Sequence, residues 1–379
     1  MDKLASKLPN VGTTIFTVMS KMASDYKAIN LSQGFPNFPV AAELNKQYQN
    51  ILADNHHQYK PMPGDPNLLN QVAVKIKTHY SREINPAEEL LITAGATQGI
   101  FTFIQALIHT GDEAIVLDPS YDCYAPAVEL CGGKPVHVNL NPDFSVDWNK
   151  VESAITNKTK LLVINNPHNP GGVVLDERNL QSLEAILEKH QQVFLLSDEV
   201  YEFIHFDKPH LSIHTRPKIR ERSAIVSSFG KTFHVTGWKI GYIVAPKHLM
   251  EEIKKIHQYV VFCVNSTAQA TLSKYLPSTN LSELGAFYKQ KRDFFRSLLK
   301  DSRFELLDCY GSYFQIAKYQ KISDKSDVDF AIEMTQKHGV AVIPVSGFNK
   351  DKHDDKLIRF CFAKEEETLI KAAEKLCRI

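Results

Sequence analysis

The chain has 379 residues, 43% of them apolar and 23% charged, with a formal net charge of +1, the profile of a soluble protein of two domains. Both signs of charge are interspersed, which excludes a basic stripe for nucleic acid and a polybasic membrane patch, and no stretch has the apolar length of a membrane span. Six cysteines (Cys123, Cys131, Cys263, Cys309, Cys361, Cys377) lie far apart without a C-x-x-C pair, and the start of the chain lacks a signal-peptide core, so reduced thiols in a cytoplasmic protein are expected rather than a disulfide framework or zinc site.

The first forty residues are irregular apart from a short helix expected over 14–23 and the turn Gln33-Gly34-Phe35-Pro36. From about residue 65 the pattern alternates. Helices are predicted over 67–79, 97–108, 125–131 and 176–189, and short strands over 89–93, 114–117, 135–140, 160–164, 193–196, 224–227 and 240–244. Apolar strands separated by helices predict an α/β fold, a mostly parallel central sheet flanked by helices. After a helix at 249–260 the character changes: a charged helix at 283–299, strands at 314–317, 341–343 and 357–363, and a closing helix at 365–377 form a smaller α+β unit. The expected division is an N-terminal arm over 1–40 joining the small domain, a large domain over 41–279 and a small C-terminal domain over 280–379.

The polar oddities fall directly after strands. Gly95-Ala96-Thr97, Tyr121, Asn165 to Gly172, Asp198 to Tyr201 and Ser228 to Lys231 each leave a strand end, so one rim should gather them into a single site. Lys231 follows an apolar run into a hydroxyl-rich turn, where partial desolvation can tune an amine to attack an aldehyde. Ser228 and the second cation, Lys239, could hold a phosphate nearby. Lysine, hydroxyl and cation together suggest pyridoxal phosphate (PLP).

The motifs Q-G-F-P-x-F-P from Gln33, N-N-P-H-N-P-G-G from Asn165, D-E-V-Y-E from Asp198, S-x-G-K-T-F-x-x-T-G-W-K-x-G from Ser228 and R-F-C-F from Arg359 occur in order over nearly the whole chain. In these the chain resembles the class I/II aminotransferases of PLP fold type I, and within them the methionine aminotransferase and kynurenine/glutamine transaminase branch. The resemblance implies that Lys231 forms the Schiff base with PLP and shuttles the substrate α-proton. Asp198 would pair with the pyridine nitrogen, Asn169 and Tyr201 would bond the cofactor's phenolic oxygen, and Tyr121 would stack on its ring. Gly95, Ala96, Thr97, Ser228 and Lys239 would take the phosphate, with Tyr59 reaching it from the partner subunit of a homodimer. Arg359 would hold the substrate α-carboxylate, beside Gly34 and Asn169. His168 reads as a loop histidine and Glu199 as a structural neighbour.

Phe16 and Phe262 match aromatic pocket positions of that branch, although Cys263 stands where some members carry histidine. With Tyr59 and Tyr121 they would make an apolar pocket for thioether or aromatic side chains. The implied reaction moves the amino group of an L-amino acid, methionine first, to a 2-oxo acid by a ping-pong cycle. A kynurenine/glutamine transaminase or a cysteine-conjugate β-lyase on the same fold is the alternative, and a non-catalytic PLP-fold binding protein fits less well with an intact Lys231, Asp198 and Arg359.

Overall fold

Runs of β-branched and leucine side chains place four strands, Leu90–Thr93, Glu113–Asp118, Ser223–Ser228 and Gly241–Val244, where every residue is buried. Only helices on both faces of a sheet can bury strands so completely. A computed structural model describes residues 4–379; the first three residues of the expected N-terminal arm, and of the segment read for a signal peptide, lie outside the described residues. The spatial order of the seven-stranded sheet is Leu90–Thr93, Gly241–Val244, Ser223–Ser228, Phe194–Asp198, Thr159–Asn165, Glu113–Asp118 and Lys134–Asn139. Gly241–Val244 runs antiparallel to both neighbours, and all other pairs are parallel. The edge strand Lys134–Asn139 is exposed at both ends.

A second, antiparallel sheet has the order Ile343–Pro344, Leu357–Cys361, Phe314–Lys318 and Glu305–Leu306. The N-terminal segment joins this region. Ile29–Asn30 pairs in parallel with Val340–Ala341, and the Cys361 N–H donates to the Leu31 carbonyl at 2.8 Å. Met19 and Leu31 pack in one core cluster with Phe330, Phe360 and Leu376.

Most expected elements are present with ends shifted by one or two residues. The strand expected over 341–343 is instead two, Val340–Ala341 and Ile343–Pro344, in different sheets. Pro344 offers no N–H to a ladder, and it sits on a sheet edge, where none is needed. Among the described residues, four helices of six or more residues have no counterpart in the periodicity: Ala42–Ala53, Trp148–Ser153, Ser266–Tyr275 and Asp327–Gln336. Ser266–Tyr275 buries Gln269 and Thr271 along with Ala268, Ala270 and Leu272, so its inner face carries a single large apolar residue among small and polar ones. Among the described residues no helix is long and apolar enough to cross a membrane.

Candidate active site

Three neighbouring parallel strands end together. Asn165 closes one, Asp198 the next and Ser228 the third, with Asn165 paired to Asp198 in the ladder. Above these ends lies a cavity of about 370 Å³. Its walls include Phe16, Gly34, Gly95, Ala96, Thr97, Tyr121, Asn169, Asp198, Tyr201, Ser228, Lys231, Lys239 and Arg359. Segments from residue 16 to residue 359 thus converge on one space.

Lys231 stands on a one-turn helix, Phe229–Thr232, where the sequence suggested a turn. Its ammonium donates to the Tyr313 hydroxyl at 2.8 Å and to the Gly34 carbonyl at 3.2 Å. Burial pushes this amine down to about 8; Arg359 and Lys239 push the same way, and Asp198 opposes them. The Asp198 carboxylate accepts from the Tyr124 hydroxyl at 2.6 Å and from the Val200 N–H at 3.3 Å. Burial raises it to about 6 even against those two donors. An amine lowered and a carboxyl raised in one cavity is the pattern by which a site places both acid–base groups near neutrality.

The D-E-V-Y-E segment is pinned from behind. Glu202 accepts from Lys75 at 2.7 Å, Tyr80 at 2.5 Å, Tyr242 at 2.8 Å and the Ser227 hydroxyl. Although fully buried, Glu202 is held down to about 2 by Lys75. Its neighbour Tyr201 is buried in turn, edge-on to Tyr313 with ring centres 5.2 Å apart. Glu199 points elsewhere, to His210 at 2.9 Å and the Ile213 N–H at 3.0 Å. His168 is buried too. Its Nδ1 accepts from the Gly171 N–H, so its Nε2 donates to the Pro119 carbonyl at 3.0 Å, and burial lowers it to about 4. It fastens the loop and stays neutral.

At one end of the cavity the helix Gly95–Leu107 presents its first turn, where backbone N–H groups favour an anion. Lys239 reaches over Gly95 and makes no ion pair with a carboxylate among the described residues. Gly241 lets the strand approach this helix start: a Cβ there would stand 2.6 Å from the Ser227 carbonyl and 2.9 Å from the Ala96 nitrogen. Both obstacles are backbone, so Gly241→Ala should cost about 1–3 kcal/mol, read as a lower urea midpoint at unchanged slope.

At the other end lies Arg359, 1% exposed. It donates to the Asn169 side-chain oxygen at 2.7 Å and the Ser32 carbonyl at 3.2 Å, while its buried Nε has no partner. The rings of Phe314, Phe348 and Phe16 surround the guanidinium at 3.8, 5.1 and 5.4 Å. Gly34 lets the chain pass close to Phe314: a Cβ there would stand 2.8 Å from the ring tip, which would have to shift. Burial lowers Arg359 to about 10, and no carboxylate pairs with it among the described residues. Asn169 is itself set by Asn165, whose side chain accepts the Asn169 N–H at 2.7 Å and donates to the Asp198 carbonyl at 2.9 Å.

Two candidates lie apart. Tyr59 is 80% exposed and Phe262 42% exposed, stacked edge-on at 5.3 Å outside the cavity of their own chain. Within its own chain Phe262 does not line this cavity. Phe262 has a left-handed backbone (φ 65°), and Cys263 ties its loop to Lys60 by accepting that N–H at 3.2 Å, which turns both aromatic rings outward. Sequence reasoning also passed over Tyr124, Tyr313 and Asp122. Tyr124 lies three residues beyond Tyr121, at the start of the helix Tyr124–Leu130; Tyr313 touches Lys231 only through a contact spanning 82 positions.

Cavity and donors fit an aromatic phosphate with a carbonyl carbon. Cationic and N–H groups mark one end, an unpaired guanidinium the other, and a lowered amine and a buried carboxylate stand between. The profile of the family described as aminotransferase class I and II matches residues 26–376. Methionine aminotransferase of Escherichia coli (strain K12) is 45% identical over 376 residues, 98% of this chain and 97% of that protein. Kynurenine–oxoglutarate transaminase of Dictyostelium discoideum is 30% identical across 100% of this chain and 96% of its own. The solved structure of YbdL from Escherichia coli, reported with a methionine aminotransferase function, superposes with a TM-score of 0.97 at 43% identity and covers 100% of both chains.

Proposed function

Since the chain belongs to the aminotransferases of class I and II, we propose that its cavity holds pyridoxal phosphate and that it transfers the amino group of methionine, or of another apolar or aromatic L-amino acid, to a 2-oxo acid. The carrying observation is the pair of cations without carboxylate partners among the described residues, Lys239 and Arg359, at opposite ends of a cavity that contains Lys231 and Asp198. When bound, the cofactor supplies a sink for the electrons left as the substrate loses its α-proton.

The chain's own residues do the rest. Lys239, Ser228 and the N–H groups of Ala96 and Thr97 would take the phosphate, and Tyr121 would cover the ring. Asp198 would keep the ring nitrogen protonated, because a fixed positive partner draws a raised carboxyl back to its charged form. Asn169 and Tyr201 would bond the phenolic oxygen. Lys231 would be the covalent anchor, and its amine, lowered to about 8, would carry the substrate α-proton. The unpaired Arg359 fork binds the substrate α-carboxylate, with Gly34 alongside. Two half-reactions then share one site in sequence, a ping-pong cycle.

A homodimer is part of the proposal. Tyr59 and Phe262, exposed and paired, would complete the partner's cavity, where Tyr59 would reach the phosphate and Phe262 the substrate side chain. The division at residues 40 and 279 is proposed on the separation of the seven-stranded sheet from the four-stranded one, and a reducing cytoplasm on six cysteines present as free thiols. Similarity to kynurenine–oxoglutarate transaminase supports a secondary activity on aromatic donors.

The test is a donor panel with a fixed set of 2-oxo acids on protein purified with PLP. The cofactor absorbance should be bleached by methionine and restored by the oxo acid, with methionine preferred over aspartate by about tenfold or more, the discrimination that side-chain contacts supply. No cofactor band, or a preference for aspartate, overturns the reading. Pyruvate released from a cysteine conjugate without an acceptor would identify β-lyase chemistry instead.

A further inference from the structure

The cavity wall carries two carboxylates, and only Asp198 is accounted for. The other, Asp122, follows Tyr121 in the loop between the strand Glu113–Asp118 and the helix Tyr124–Leu130. It is partly buried, yet among the described residues it makes no ion pair and no hydrogen bond to another side chain. Four residues, Thr14, Phe16, Tyr121 and Asp122, also line an adjoining outer cavity of about 400 Å³, so they form the neck between the two spaces. Of the four, only Asp122 carries a formal charge.

Position gives this charge a role. Phe16 lies 5.4 Å from the Arg359 guanidinium, so the neck begins beside the α-carboxylate anchor. With the α-carboxylate on Arg359 and the α-carbon beside Lys231, the substrate side chain extends along the wall made by Thr14, Phe16, Tyr121 and Asp122. A thioether or an aromatic ring meets Phe16 and Tyr121 there. A second carboxylate would meet a like charge in this partly dehydrated neck, none of whose four residues is a cation; Arg359 stands on its inner side, and Lys350 and Lys352 line the outer cavity.

Resting on the aminotransferase reading above, we propose that Asp122 is a specificity-determining residue that excludes amino and oxo acids bearing a second, distal carboxylate. Discrimination then comes from a repulsive group as well as from the apolar fit of the pocket. Side chains ending in an N–H donor, such as an amide, gain an acceptor at the same place. Burial pushes the Asp122 carboxyl up, while Arg359 draws it back toward its charged form.

The test compares two ligands that differ by one terminal carboxylate, pentanoate and glutarate. Their dissociation constants are measured by titration calorimetry on the PLP-loaded protein, wild type against Asp122→Asn and Asp122→Ser. The wild type should favour pentanoate, and both variants should shift the pentanoate-to-glutarate ratio toward glutarate by about tenfold or more, the scale of one like-charge contact. The ratio of kcat/KM for glutamate over methionine should rise in the same direction. An unchanged ratio overturns the proposal. So does equal tightening of both ligands, which would mean that Asp122 only competes for Arg359. If the aminotransferase reading itself fails, the wild type shows no methionine turnover, whereas failure of the Asp122 proposal leaves turnover intact with an unaltered ratio.

Discussion

Lys231→Ala lowers turnover of methionine on the order of 10⁴-fold, because it removes the covalent anchor and the proton carrier together. The same amine cannot be replaced by its neighbours. Lys239 lies over the helix start at Gly95, and Asp198 is held by Tyr124. A second readout separates chemistry from damage to the fold: exchange of the methionine α-proton with heavy water should vanish in the variant. Unfolding by urea should change by no more than about 1 kcal/mol, since removing a desolvated amine offsets the loss of its two hydrogen bonds. The acid side of the wild-type pH profile follows from the same burial. An amine lowered to about 8 accepts a proton only when neutral, so this step slows as pH falls below that value. Retention of α-proton exchange in Lys231→Ala would remove Lys231 from the proposed mechanism.

The central sheet was legible because its strands are short apolar runs bounded by loops, and burial on both faces leaves that signature undiluted. The rim was legible for the same reason. Each polar cluster at Gly95, Asn165, Asp198 and Ser228 begins where an apolar strand stops, so strand ends predicted the convergence that the cavity displays. What escaped depends on contacts distant in sequence. Nothing local marks Tyr313 as a partner of Lys231, or Phe314 and Phe348 as rings around Arg359. Helix Ser266–Tyr275 escaped for a different reason, because its buried face holds Gln269, which donates to the Val264 carbonyl and accepts from the Asp65 N–H. A polar residue so used looks like surface in one dimension. Phe262 shows the converse: an aromatic residue in an apolar run suggests an interior position, yet a left-handed backbone at the end of its helix turns it out.

Arg359→Leu should lower kcat/KM by about 10²–10⁴-fold, the value of two charge-assisted hydrogen bonds to one carboxylate, and yet leave the ligand-free protein as stable as before or more so. The reasoning turns on what Arg359 lacks. A buried arginine that pairs with a carboxylate costs about 3–5 kcal/mol to remove, because the partner charge is left uncompensated. Among the described residues no carboxylate pairs with it, Nε is unsatisfied, and the acceptor on Asn169 borders the cavity, where water can replace the guanidinium. The sign of the titration agrees. Arg359 falls to about 10 in the folded chain from 12.5, so between those values the unfolded chain binds more protons and stability rises with pH. Below about 10 the folded chain bears the whole cost of the buried charge, on the order of a few kcal/mol, and neutral pH lies there. Replacing the cation by leucine among Phe16, Phe314 and Phe348 removes that cost and keeps the rings packed. Urea unfolding at pH 7 without ligand checks this half of the prediction, and initial-rate kinetics with methionine checks the other. Arg359→Lys separates charge from geometry: it keeps the cation, loses the fork, and should fall between wild type and leucine in kcat/KM. A loss of 3 kcal/mol or more in Arg359→Leu would mean that the guanidinium is a structural tie, and its openness to a substrate carboxylate would have to be abandoned.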